Sequence, residues 1–379
     1  LGTVTGIYHG CVELPAALQH HPHARAVLEP AWPPRGRASH AYLFHGPAGT
    51  GKRAVARALA AALLAEGASD QPGTAERVQR GAHPDLTWVV PSGASEMLVG
   101  DIEEAVVGAI ARTPFESSRR VFVIEGAHTM NDQVANRLLK TLEEPPAFAH
   151  LILLTHGLGD VLPTVASRCQ HVRFDPLSPA RIEQGLDVGD RLLARACARL
   201  ALGDAGLAAW LAGEAGQAVR ASSERFVRGA LGGSTAQRAW LGALEQAKAV
   251  GIAAGEQALA RSEQELELVP RKERKRLQRE AGEAQRRLER RERTRTLDLV
   301  LGLAELWLRD VWCVAEGAPE LVYAVDRAAE LAEDAAGRPP ARLLAGVELV
   351  AATRRRLSLN VGEELALEAL AYRLQELAE

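Results

Sequence analysis

The chain has 379 residues, 47% apolar and 25% charged, a composition that fits a folded, water-soluble protein of two or three domains and excludes intrinsic disorder. Forty-five Lys and Arg against 48 Asp and Glu leave a formal charge of −3, so no whole-chain basic field marks it as a nucleic-acid binder. The charge is uneven: residues 271 to 295 hold twelve basic residues against five acidic ones, which puts +7 there and −10 on the rest. Cys11, Cys169, Cys197 and Cys313 form no CxxC pair and no Cys/His cluster at zinc spacing, so neither a disulfide framework nor a metal site is suggested. The first twenty residues lack the basic and apolar regions of a signal peptide, and no apolar run reaches the roughly 18 residues of a membrane span. A cytoplasmic protein with no membrane partner is expected.

Up to about residue 176, apolar runs at 41–45, 86–90, 121–124, 151–155 and 171–174 alternate with helix-length segments. Runs that are apolar throughout are buried on both faces, so a parallel sheet covered by helices is expected, an α/β domain over residues 1–176. After Asp175-Pro176 the chain turns rich in Ala, Leu and Arg with almost no β-branched runs, and helices are expected to the end. The expectation is a small helical domain over 177–218 and a larger one over 219–379. The latter holds the charged stretch and apolar helices around 299–314 and 365–374.

Gly46-Pro47-Ala48-Gly49-Thr50-Gly51-Lys52 follows the first strand and opens an Ala-rich helix over 53–65, the context a phosphate-binding loop requires. The glycines let backbone N–H groups turn inward, the helix N-terminus adds partial positive charge, and Lys52 would reach the β- and γ-phosphates. Position 53, however, is Arg where the motif wants a Ser or Thr hydroxyl for Mg²⁺. Two unit positive charges 4 Å apart repel by roughly 4 kcal/mol at an effective dielectric of 20, so Arg53 opposes the metal it fails to ligate.

A hydrolysing ATPase of this kind carries Asp-Glu at the end of a later strand, one carboxylate organising the metal and the other orienting the attacking water. Here the strand reads Val121-Phe122-Val123-Ile124-Glu125-Gly126. Glu125 partly serves the first role, and Gly126 cannot serve the second. Two departures in one chemical unit point to a nucleotide-hydrolysis scaffold whose own site is disabled. Farther on, residues 131–144 place apolar side chains at 134, 138, 139 and 142, a helical spacing that Pro145-Pro146 ends.

With Gly46 to Lys52, the stretch Ala135-Asn136-Arg137-Leu138-Leu139-Lys140-Thr141-Leu142-Glu143-Glu144-Pro145-Pro146 and the tripeptide Ser167-Arg168-Cys169 in this order, the chain resembles the bacterial clamp-loader branch of the AAA+ proteins. Ser39 to Phe44, His83-Pro84-Asp85 and the damaged ATPase motifs make it similar, within that branch, to the delta-prime family of DNA polymerase III. The resemblance is specific over about 38–176. It is looser beyond, where Trp307-Leu308-Arg309-Asp310 and Asn360 to Glu368 resemble that family's C-terminal collar.

The resemblance implies an AAA+-like domain, a small helical lid and an all-helical collar that oligomerises. It also implies a five-subunit loader that opens a sliding clamp and places it on primer–template DNA. Its partners would be gamma/tau-like motor subunits, a delta-type clamp-opening subunit and the clamp. The chain itself would not hydrolyse ATP, and Arg168 would reach as an arginine finger into a neighbouring motor's ATP site, the ordinary alternative being a surface ion pair. Weak ATP binding at Gly46, Gly49, Thr50, Gly51, Lys52, Arg53 and Glu125 is the most the loop would retain. Many relatives hold a zinc with four cysteines before the His-Pro-Asp segment; residues 64–83 contain none, so no zinc is expected. The motors' sensor arginine is likewise missing from 203–208.

Lys140 lies on a helix that faces a neighbour or DNA in such loaders, and a solvated lysine is the equal alternative. In the 271–295 stretch, interleaved Glu residues and the sparse apolar Leu277 and Leu288 favour a long solvated helix with no aromatic residue to stack on bases. Two rivals remain. One is an active motor subunit of the gamma/tau kind, against which Arg53 and Gly126 speak; the other is a stand-alone DNA-binding adaptor working through the basic stretch.

Overall fold

The computed structural model describes residues 7–8, 11–12, 14–34, 36–93, 96–266, 271–357 and 361–378. They fall into two compact units, Leu1–Ser178 and Pro179–Glu379.

The first unit is built on five parallel strands, β1 (Ala41–His45), β2 (Leu86–Val89), β3 (Arg120–Ile124), β4 (Ala149–Thr155) and β5 (Gln170–Arg173), in the order β2-β3-β4-β1-β5. All five expected strands are present, with ends shifted by one or two residues. Central β4 is buried along its whole length, which is why its middle, Leu151–Leu154, is apolar without alternation. Side chains still alternate between faces. Tyr42, Phe44, Val121, Val123 and Ile152 pack with helix α1 (Lys52–Ala65) on one side. Leu43, Phe122, Ile124, Leu151 and Leu153 pack with helix α2 (Asp132–Glu143) on the other.

Local chemistry sets the helix ends. The Asn131 side chain accepts the Val134 N–H at 3.0 Å and so caps α2, and the helix stops two residues short of Pro145 because that ring disfavours helical backbone before it. The Asp85 carboxylate accepts N–H groups from Phe115, Glu116 and Ser117 at 2.6, 3.0 and 2.9 Å. His83 Nδ1 accepts the Asp85 N–H at 3.1 Å while Nε2 lies 2.9 Å from Glu116. The His-Pro-Asp segment is therefore a clip that holds the loop before β3. Because the strands are parallel, the loops that follow β1, β3 and β4 gather at one edge of the sheet, where ligands of such folds bind.

The second unit is helical. Its longer members are α3 (Glu214–Leu231), α4 (Ala239–Leu266), α5 (Arg271–Ala315), α6 (Pro340–Leu357) and α7 (Glu363–Ala378). The expected boundary at 218/219 falls inside α3, whose Val219 and Phe226 share one core with Cys197 and Leu211 before it and with Trp240, Val300 and Leu367 after it. The apolar segment 299–314 is the C-terminal part of α5, and 365–374 lies within α7. Trp307 donates its indole N–H to Asp334 at 2.9 Å, and fully buried Asp310 accepts the Tyr323 and Ala324 N–H groups at 2.8 Å each. The Trp-Leu-Arg-Asp motif thus pins a loop and a neighbouring helix to α5. Asn360, which opens the other C-terminal motif, lies outside the described residues.

Candidate functional site: a phosphate-binding loop closed on itself

The loop from Gly46 to Lys52 joins the C-terminal end of β1 to α1. Gly46 has φ +143°, and a Cβ there would lie 2.0 Å from the Phe174 carbonyl oxygen, so only glycine lets the loop press against the chain leaving β5. Gly49 and Gly51 also take positive φ, +65° and +87°. The Gly46 N–H donates to the His156 carbonyl at 3.0 Å, and the Thr50 hydroxyl to the Pro47 carbonyl at 3.0 Å. His21 is buried, hydrogen-bonded to the backbone of Thr50 and 5.1 Å from the Phe174 ring; burial lowers its pKa below the usual histidine value.

Lys52 is 8% exposed and folds back over the loop. Its Nζ donates to the Gly46 carbonyl at 2.5 Å and to the Pro47 carbonyl, and lies 3.4 Å from the Thr50 hydroxyl. The ammonium expected to meet phosphate oxygens is thus held by carbonyls of its own loop.

Arg53, at the start of α1, reaches the end of β3. Its Nε donates to Glu125 Oε2 at 2.7 Å and a second guanidinium N–H reaches the same oxygen. The Trp88 indole N–H takes Oε1 at 2.6 Å, and the Arg57 guanidinium lies 4.5 Å over the Trp88 ring while donating to the Gln79 carbonyl at 2.8 Å. Both oxygens of Glu125 are therefore occupied. Arg53 does more than omit a metal-binding hydroxyl: it neutralises the one carboxylate that remained. This donor set does not fit a divalent cation, which needs free oxygen ligands. At Gly126 the backbone has φ +65° and a Cβ would lie 2.9 Å from Pro91 Cγ, so a carboxylate-bearing side chain there would meet both strain and a clash.

Arg168 follows the helical turn Pro163–Ala166 and precedes β5. Its Nε donates to Glu143 Oε1 at 2.9 Å, another N–H reaches the same oxygen, and a third donates to the Thr164 carbonyl at 2.8 Å. The guanidinium is about one-third exposed and Glu143 about one-half. Burial pushes the neighbouring Cys169 thiol up to about 12, which leaves it protonated and unreactive near neutral pH. Lys140 is exposed.

The structure thus brings Lys52, Thr50 and the glycines into one loop and joins Arg53 to Glu125, while Arg168 is held by Glu143. Trp88, Arg57 and Glu143 were not foreseen in these roles. The sequence signal for Glu143 was its place at the end of α2, beside the Pro pair; Trp88 carried none beyond its place in a strand.

Residues 31–178 match the family model described as DNA polymerase III, delta subunit. The delta' subunit of DNA polymerase III from Pseudomonas aeruginosa is 39% identical over 140 residues, 36% of this chain and 43% of that protein. The delta' subunit from Bacillus subtilis is 37% identical over 160 residues, 40% of this chain and 47% of that protein. The gamma/tau subunit from Mycobacterium tuberculosis is 34% identical over 173 residues, 43% of this chain and 28% of that protein. The chain spans less than half the length of each of these relatives. Residues 31–178 are thus similar to part of these DNA polymerase III subunits, with the delta' subunits giving the higher identities.

Proposed function

We propose that this chain is a non-hydrolysing subunit of the delta-prime kind in a replicative clamp loader, and that it contributes Arg168 to the ATP site of a neighbouring gamma/tau-like motor. Its other partners in this reading are a delta-type clamp-opening subunit, the sliding clamp and, through the complex, primer–template DNA. It requires neither bound nucleotide nor zinc.

The observation that carries this reading is the Arg53–Glu125 pair, with Trp88 on the second carboxylate oxygen. A site whose acidic residue is neutralised by its own chain has no means of organising Mg²⁺, and Gly126 leaves no carboxylate to orient water. The same pair speaks against the motor reading. Arg168 is the complementary case, a guanidinium on the surface, bonded to a carboxylate that is itself half exposed. Surface pairs of this kind contribute about 0–1 kcal/mol, so exchange of Glu143 for the γ-phosphate of a bound ATP would cost little.

The test is reconstitution with the motor and clamp-opening subunits. Arg168→Ala is expected to leave the complex intact while its DNA-stimulated ATPase and clamp loading fall, since a finger of this kind contributes roughly a thousandfold or more at the one site it serves. With several motor sites only part of the total rate is lost. Unchanged loading and ATPase in a complex of normal composition would return Arg168 to a surface ion pair.

A further inference from the structure

Helices α4 and α5 run antiparallel, and their far ends form an arm that carries no core. No described side chain between Arg274 and Glu292 is buried; burial on α5 begins at Thr296 and Leu297. On α4 the last buried positions among the described residues are Gly251 and Gly255, which meet the α5 backbone and side chain at Glu289. The arm thus stabilises little by apolar burial, and the 45-residue α5, about 68 Å long at 1.5 Å per residue, extends well past what its packing requires.

The arm presents arginine. At 100° per residue, Arg276, Arg279, Arg286, Arg287, Arg290 and Arg291 fall within an arc of about 140°, and Glu289, which meets α4, lies off it. All six are exposed. Arg276, Arg279 and Arg287 have only loose partners within the helix, Glu280 at 3.7 Å and Glu283 at 4.0 Å from each of the other two. Arg286, Arg290 and Arg291 have no ion pair or hydrogen bond among the described residues. The pairs 286/287 and 290/291 stand one turn apart, about 6 Å along the axis, with no acidic residue on the arc between them.

We infer that the Arg286–Arg291 face binds the phosphate backbone of duplex DNA without reading sequence. The chemistry of the face selects this occupant. Arginine forks match phosphate oxygens. The arc holds no apolar or aromatic anchor of the kind that carries a protein interface, and none on which single-stranded bases would stack. One negative charge per 3.4 Å on each strand places about two phosphates of a strand within the 6 Å between the arginine pairs. Interleaved glutamates made a purely solvated helix the simpler reading of the sequence, but they lie N-terminal to these four arginines or off the arc. The inference concerns the free chain and does not depend on the loader role.

The test uses the full chain, a fluorescently labelled duplex of mixed sequence, the matching single strand, and poly-glutamate as an acidic polypeptide. Binding to duplex is expected to weaken roughly a hundredfold between 50 and 200 mM salt if about four phosphates are neutralised. Arg→Gln at 286, 287, 290 and 291 should remove most of that slope with the helical circular dichroism retained, and Arg→Lys at the same positions should keep it. Should the fourfold variant lose helicity, Arg286→Gln with Arg290→Gln is expected to halve the slope. The inference is overturned if the Gln variants keep wild-type affinity and slope, if the wild-type chain fails to bind duplex at low salt, or if single strand or poly-glutamate binds as tightly as duplex.

Discussion

Arg53 and Glu125 stand 72 residues apart and form one closed unit, in which the guanidinium takes one carboxylate oxygen and the Trp88 indole the other. Arg53 is largely exposed while Glu125 is largely buried, so water screens the guanidinium and the ion pair contributes about 1 kcal/mol. Arg53→Ser is therefore expected to change thermal stability by less than about that amount, and to leave ATP turnover at background because position 126 still offers no carboxylate. Turnover rising above background in Arg53→Ser, and lost again on Lys52→Ala, would show that Arg53 alone silences the site. The residue types by which the loop departs from the motif were legible in the sequence, since a motif states which hydroxyl and which carboxylates it needs. Their partners were not: that Glu125 belongs to Arg53, or Arg168 to Glu143, depends on which strand ends and helix ends the sheet order brings side by side.

Elements were more legible than contacts. The five strands announced themselves because burial on both faces leaves few polar positions in a central parallel strand; in β4 the run Leu151–Leu154 is wholly apolar, with the polar residues His150 and Thr155 toward its ends. The second unit was harder to divide. A solvated helix over 271–295 and an apolar one over 299–314 read as two segments by their composition, yet no Gly or Pro separates them, and they form the single α5. The expected boundary at 218/219 likewise fell inside one continuous helix, α3. Glycine on α4 has a role that composition did not reveal. A Cβ at Gly251 would lie 2.5 Å from the Glu289 carbonyl oxygen, a backbone atom, whereas at Gly255 it would meet only the Glu289 side chain. Gly251→Ala is expected to force the helices apart and cost about 1–3 kcal/mol, more than the roughly 1 kcal/mol that alanine gains in a helix. Gly255→Ala needs only a new Glu289 rotamer and should be close to neutral. Hydrogen exchange along α4 and the first half of α5 distinguishes the two; equal protection in both variants would show that the arm does not depend on close approach.

At the scale of the whole molecule, the two units differ in how they respond to acid. All eleven histidines lie before residue 178. Burial lowers the pKa of His21, His45, His83 and His150. Below about pH 6.5 the unfolded chain therefore takes up protons that the folded first unit resists, and its stability falls as pH drops from there through the lowered folded values. Asp85 acts further down. Burial works to raise its carboxyl, but the three backbone N–H donors outweigh it and the folded pKa lies below the ordinary 3.8. Its contribution is complete above that value and is lost as pH falls through the folded one. The second unit has no histidine, and its buried Asp310 is shifted the opposite way, raised by burial against the Tyr323 and Ala324 N–H groups and Arg309. Acidification relieves the cost of burying that charge, so it favours the folded second unit. Between pH 7 and 5, hydrogen exchange corrected for its intrinsic pH dependence is expected to accelerate in the sheet strands β1 to β5 and to stay constant or slow in α5 around Asp310. Equal acceleration in both would mean that the buried histidines do not control the acid response, and acceleration confined to α5 would reverse the assignment.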